Sequence, residues 1–248
     1  MTKITISKYS TDAPKSSNKE EIKKQTIKMV QQIGDLSKII MAEKKHSVLI
    51  ILQGMDGSGK DGIAKNVFAL CPATTLDTYS FKKPTEVEFA HDFLWRVHNV
   101  CPAKGNLKIF IRSHYEDILI QAVHKWITPD RIRERMDAIN NFEHLLAFDN
   151  NTTIIKFFLN ISHKRQLEKL TERKVNPAKQ WKFNEQDFVE SKFWDSYMKC
   201  YEYAINNSNI PWHIIPCDQS WYRDFMVAGI VLEKLKSLKS KLPTLKDA

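Results

Sequence analysis

The sequence predicts an α/β protein: a parallel sheet with helices on both faces, in three layers. Three observations carry that prediction. Short apolar runs alternate with helical stretches along most of the chain. The clearest run, Val48 to Leu52, is apolar throughout and strand-sized, the mark of a strand buried on both faces. A glycine-rich loop follows it and opens a helix. Strand alternating with helix gives right-handed crossovers and hence a parallel sheet.

In chain order, residues 1–18 are polar, carry Pro and Ser, and read as a flexible N-terminal arm. Residues 19–248 read as one domain. A helix starts near Lys19, with Ile22, Ile27, Val30, Ile33, Leu36 and Ile40 at roughly helical spacing. After the first strand come further strand candidates at Thr75–Phe81, Leu107–Arg112, Thr153–Leu159 and His213–Cys217. Helices are expected over Gly59–Leu70, Glu86–His98, Ile118–Trp126, Pro129–Phe148, Ser162–Arg173, Phe188–Asn206 and Trp221–Leu238. A basic insert over about residues 171–187 reads as a lid.

Composition excludes several classes. Apolar residues make up 42% of the 248 positions, enough for a full core. No apolar run approaches the roughly 20 residues that span a bilayer, and the N-terminus lacks the apolar core of a secretory signal. Cys71, Cys101, Cys200 and Cys217 are scattered without C-x-x-C spacing, so reduced thiols and a cytoplasmic location are expected. The net charge of +9 favours capture of polyanions, without choosing among nucleic acid, anionic membrane and a phosphate polymer.

Gly54-Met-Asp-Gly-Ser-Gly-Lys-Asp-Gly62 is a G-x-x-x-x-G-K phosphate loop in its expected setting between strand and helix. Gly57, Ser58, Gly59 and Gly62 let backbone N–H groups turn inward around a phosphate, and the helix start adds partial positive charge. Lys60 supplies a mobile cation. The Ser/Thr that normally follows this lysine and meets Mg²⁺ is replaced by Asp61, one of the candidate phosphate-site residues. Metal binding then shifts to carboxylates. Asp56 is the first candidate, because a carboxylate inside a phosphate cradle needs a cation.

The run Lys108 to Arg112 ends in Arg112-Ser-His-Tyr-Glu-Asp117. Ligands of open α/β sheets sit beyond the carboxyl ends of strands, so Arg112, His114, Glu116 and Asp117 should face the phosphate loop. Arg112 suits a bidentate grip on phosphate. Asp117 is the second metal candidate; Ser113 reads as a local cap. Asp92 and Arg96 stand four residues apart. They make either a surface ion pair or, with Trp95, part of a nucleotide cleft. Arg165, Lys169 and Arg173 share one helix face, and the stretch Arg173–Lys182 is basic enough to close over anions.

Together G-M-D-G-S-G-K-D-G, P-x-x-x-E-x-x-H-D-F-L-W-R, R-S-H-Y-E-D-I-L and R-K-x-N-P-x-K-x-W-K-F resemble the polyphosphate kinase 2 family over about residues 20–235. The resemblance implies a P-loop kinase fold similar to thymidylate kinase. It implies Mg²⁺-dependent, reversible transfer between inorganic polyphosphate and nucleotides, chiefly ADP and GDP and in some members AMP. It implies Asp56, Lys60, Arg112, Asp117 and Arg173 as catalytic residues, with Lys182 in the lid. Asp92, Arg96, Arg112 and Glu116 are the candidate nucleotide contacts, and Lys65, Lys82 and Lys182 the outer polyphosphate contacts. Ile111 stands where relatives often carry a polar residue. A homo-oligomer is expected, using the first helix and the aromatics near Trp194 and Tyr201. Two rivals remain at this level: an ATP-dependent nucleotide or small-molecule kinase, and a non-catalytic nucleic-acid-binding P-loop protein. The sequence carries no recognised nucleic-acid or membrane module.

Overall fold

Residues 3–244 are described in the computed structural model of the chain. Helix α1 spans Lys19–Glu43, and its start is capped by Asn18, whose side chain accepts from the Glu20 and Glu21 N–H groups. Then follow β1 (Ser47–Gln53), α2 (Lys60–Val67), β2 (Leu76–Ser80), α3 (Glu86–Phe89), α4 (Trp95–His98) and β3 (Leu107–Ile111). The chain continues through α5 (Glu116–Val123), α6 (Pro129–Asp149), β4 (Thr152–Asn160) and α7 (His163–Val175). A 3₁₀ turn (Pro177–Lys182) leads into α8 (Glu185–Ser191), α9 (Trp194–Asn206), β5 (Trp212–Pro216) and α10 (Ser220–Ser237).

The five strands form one parallel sheet in the order β2-β3-β1-β4-β5. β1 is central, and every one of its residues is buried. That is the position its unbroken apolar run demanded, since only a strand covered on both faces needs no polar side. β2 is an edge strand, and its Asp77, Thr78 and Ser80 are exposed. The chain moves from β1 out to β2 and back to β3 on one side. It then crosses to β4 on the other. The carboxyl end of β1 is therefore a topological switch point, where such sheets open a crevice.

Three expectations are corrected. The stretch Glu86–His98 is two single turns, not one helix. Asp92 breaks it: its carboxylate accepts from the Leu94 and Trp95 N–H groups, a local bond that competes with helix continuation. Phe188–Asn206 likewise divides after Ser191, whose hydroxyl is drawn to Gln166 (2.8 Å). The N-terminal segment is no free arm. Ile6 is buried, Ile4 exchanges two hydrogen bonds with the Asn206 carboxamide (2.7 and 2.8 Å), and Thr11 exchanges two with Asp218 (3.1 and 2.9 Å). The strap so formed crosses the carboxyl ends of β4 and β5, where Asn160 donates to the Tyr9 carbonyl.

The expected subunit face near Trp194 and Tyr201 is also changed. Tyr201 is buried and packs on Phe158 at 4.7 Å, while Trp194 stacks on His163 at 4.7 Å. The Tyr201 ring belongs to the core of this chain, and the half-buried Trp194 packs against that core.

Candidate active site

Because all strands are parallel, the loops after β1, β3 and β4 meet at one edge of the sheet. The first is the phosphate loop. Gly59 has φ 93°, a conformation that favours glycine, and a Cβ there would lie 1.8 Å from Nη1 of Arg223. Gly57, at φ 88°, rests against Gln166 and Lys169 of α7. Lys60 opens α2 and turns back over the loop. Its Nζ donates to the carbonyls of Gly54 (2.7 Å) and Met55 (3.2 Å). The ammonium is buried, and that burial lowers its pKa despite Asp56 beside it. The same Nζ stands 3.6 Å from Oδ1 of Asp56.

Arg112 is the first residue past β3, with a left-handed φ of 61°. A non-glycine residue holds that shape only where its surroundings fix it. The turn aims the guanidinium at Asp56, and Nη2 donates to both carboxylate oxygens (2.6 and 2.8 Å). Burial opposes the charge on Asp56, but Lys60, Arg112 and Arg173 outweigh it and hold the pKa at about 2. Asp56 is thus ionised at any physiological pH. Burial also opposes the charge on Arg112, yet Asp56 and Glu116 hold its pKa above the ordinary value. Glu116 belongs to the same group; burial lifts its pKa, against the pull of Arg112 and Lys60.

The basic insert expected to act as a lid, about residues 171–187, comprises the end of α7, the 3₁₀ turn and the start of α8. Its Arg173 donates to Asp187 at 2.7 Å, and its Lys182 donates to Asp61 of the phosphate loop at 3.2 Å. Arg173 is close enough to depress Asp56. The structure therefore gathers Asp56, Lys60, Asp61, Arg112, Glu116, Arg173 and Lys182 around the loop.

Other expected residues lie elsewhere. Asp117 is buried and accepts from Arg96 (3.2 Å) and Gln121 (3.0 Å). Its carboxylate faces these partners and not the phosphate loop, which leaves Asp56 as the metal candidate beside the loop. Burial raises the Asp117 pKa, with Arg96 opposing. Arg96 turns from Asp92 toward Asp117 and the Lys82 carbonyl (2.9 Å), so the surface ion pair with Asp92 does not form. Asp92, exposed, lines a shallow cleft with Leu94, Trp95, His98 and Asn99. Lys65 sits exposed in the last turn of α2, away from the loop at its start, and Lys82 is exposed beyond β2.

Two contributors carry no sequence signal. Arg223 of α10 is buried beneath the phosphate loop. It donates to the Ser58 carbonyl (3.3 Å) and to Asp224 (2.7 and 2.9 Å), which in turn accepts from Asn66 of α2. It lies far from the loop in sequence and inside no motif. Asp187, the lid's own acid, lies at the edge of the basic insert; burial raises its pKa, as does Asp56 nearby.

Mg²⁺ is held in proteins by one or two carboxylates together with substrate phosphates. Asp56, ionised and a quarter exposed beside the loop, fits that demand. Among the described residues no cluster of three or more His, Cys, Asp or Glu forms a closed metal cage. No described helix is long and apolar enough to cross a membrane.

Residues 16–243 match the family model described as polyphosphate kinase 2. The AMP/ADP-polyphosphate phosphotransferase of Meiothermus ruber is 42% identical over 86% of this chain and 80% of its own. The ADP-polyphosphate phosphotransferase of Rhodopseudomonas palustris is 33% identical over 97% of this chain and 89% of its own. The crystal structure of polyphosphate kinase 2 from Arthrobacter aurescens TC1 superposes with a TM-score of 0.94 at 32% identity, covering 98% of this chain and 89% of that one.

Proposed function

This chain belongs to the polyphosphate kinase 2 family, and on that premise we propose that it transfers a phosphoryl group between inorganic polyphosphate and a nucleotide, with AMP and ADP as acceptors and GDP as a further one. The observation that carries the reading is the convergence of Lys60, Asp56 and Arg112 at the carboxyl ends of β1 and β3.

Phosphoryl transfer asks a protein for in-line positioning and charge neutralisation, with little covalent chemistry. The acceptor phosphate is already anionic, so no strong base is required. The difficulty is mutual repulsion: two unit charges at ~4 Å cost about 4 kcal/mol at an effective dielectric of 20. The loop N–H groups and Lys60 hold one phosphate. Its carbonyl contacts keep the ammonium aimed across the loop mouth. Arg112 grips the second anion, and Asp56 keeps it oriented. Arg173 and Lys182 close from above and exclude water. Asp56 would hold Mg²⁺, which supplies positive charge to the phosphate oxygens during transfer.

The test is a coupled assay of purified protein with polyphosphate plus AMP, ADP or GDP, with and without Mg²⁺, set beside ATP as donor. Polyphosphate should support turnover well above ATP. A clear preference for ATP would return the chain to the nucleotide-kinase reading. Turnover with neither donor, together with salt-sensitive RNA binding, would favour the non-catalytic one.

A further inference from the structure

Beneath the turn that follows β3 lies a charged cluster that the transfer reaction does not use directly. Lys156 of β4 and His114 have 0% exposure, as does Tyr115, and Glu143 of α6 has 1%. Lys156 Nζ donates to Glu143 Oε2 (2.5 Å), to the Tyr115 hydroxyl (2.8 Å) and to Ser208. Tyr115 donates to Glu143 Oε1 (2.9 Å), and His114 Nε2 approaches the same oxygen at 3.4 Å. The rings of Tyr115 and Trp212 lie under the ammonium, each 5.2 Å away. Burial pulls the Lys156 ammonium down; burial also opposes the Glu143 charge, but His114 and Lys156 outweigh it and keep the carboxylate ionised.

Stability does not account for such a pair. Taking two charges out of water costs as much as their attraction returns, and apolar residues of similar volume are often as stable or more so. What the cluster does fix is the path of the chain. His114 and Tyr115 follow Arg112 by two and three positions. Arg112 holds its left-handed φ of 61° between two ties. One tie is Gln53, whose carboxamide, turned to satisfy its neighbours, accepts from the Ser113 N–H (3.1 Å) and donates to Glu116 (2.9 Å). The other is the cluster that anchors His114 and Tyr115. A strained turn persists only when its surroundings over-determine it.

We infer that Lys156 and Glu143 are positioning residues: through Tyr115 and His114 they hold the turn that presents the Arg112 guanidinium to the reacting phosphates. The inference rests on the reading of Arg112 as a phosphate-gripping residue. A small displacement at such a group is costly, because a shift of about 1 Å can lower turnover roughly a hundredfold.

The experiment uses the full chain in the polyphosphate-to-ADP assay, with thermal melts of every variant. The first variant is the apolar pair Glu143→Leu with Lys156→Met. The second is Tyr115→Phe, which removes one hydroxyl and keeps the ring. The third is Arg112→Ala. The apolar pair should melt near the wild type or above it, yet lose roughly tenfold to a hundredfold in kcat, with KM for polyphosphate within about twofold. Tyr115→Phe should lose kcat in the same direction, less deeply. Wild-type kcat in the apolar pair or in Tyr115→Phe, beside an inactive Arg112→Ala, overturns this inference and leaves the site reading standing. Wild-type kcat in Arg112→Ala overturns the site reading and the inference with it. If the apolar pair does not fold, Tyr115→Phe decides alone.

Discussion

Asp61, the residue after the phosphate-loop lysine, accepts a hydrogen bond from Lys182 of the lid at 3.2 Å, across 121 positions of sequence. The carboxylate is 65% exposed and the lysine 35%. A pair so open to water contributes well under about 1 kcal/mol. It is therefore a weak latch, and on the proposed function an incoming polyanion would displace it. Arg173 is held in the same way by Asp187, though in a drier place.

The latch sets the first prediction. A double-mutant cycle on Asp61→Asn and Lys182→Ala should give a coupling in folding stability below about 1 kcal/mol. Asp61→Asn should lower KM for polyphosphate a few-fold, since it frees Lys182 and removes a negative charge beside the anion. A coupling above about 2 kcal/mol, or a raised KM, would refute the weak latch.

Asp56 and Asp117 should separate cleanly. Asp56→Asn should lose most activity and shift the Mg²⁺ dependence, because Asp56 is the ionised carboxylate beside Lys60. Asp117→Ala leaves Arg96 buried without its partner and should cost about 3 kcal/mol of folding stability. Urea unfolding and Mg²⁺ titration of both variants give the comparison. An Asp117→Ala protein of normal stability and altered Mg²⁺ dependence would restore Asp117 as a metal ligand.

The lid and the outer surface should differ in kinetic signature. Arg173→Ala removes a cation that reaches the charge field of Asp56. Its loss should lower kcat by roughly a hundredfold, as for other charged contacts at a transition state. Lys82→Ala, on exposed surface, should leave kcat nearly unchanged and raise KM for polyphosphate in a salt-dependent way. Steady-state kinetics at two ionic strengths measure both. A merely salt-sensitive KM change in Arg173→Ala would make the lid ordinary basic surface.

Lys169 gives a pH dependence. It lies beside Gly57, and burial, followed by Arg223 and Arg165, lowers its pKa to about 8. On the proposed function this ammonium would attract polyphosphate, so kcat/KM for polyphosphate should fall as pH rises through about 8, the free-enzyme value. Lys169→Met should lack that limb. Stability runs the other way. The unfolded lysine keeps its proton to its ordinary value of 10.5, so the folded protein gains stability between about 8 and 10.5. An alkaline limb unchanged in Lys169→Met would show that another group titrates there.

The sequence by itself determined the class of fold and the residues that converge at the candidate site's phosphate loop. The central strand was legible because a strand buried on both faces must be apolar throughout, as Val48–Leu52 is. Gly57, Gly59 and Lys60 were legible because a phosphate cradle allows few other residues at those places. Arg112 was legible because it follows a buried strand directly. Tertiary structure alone decided the partners. Asp117 reads as a free acid beside Glu116, yet Arg96, 21 positions earlier, takes its carboxylate. Arg223 is one basic residue among 38, until α10 brings it under Gly59. Lys156 interrupts a buried strand with no local reason, and its reason is Glu143 on the helix before it. The division has one physical cause. Backbone shape and burial are set by neighbouring residues and leave a periodic trace in the sequence. The pairing of buried charges is set by where distant elements pack, and leaves none.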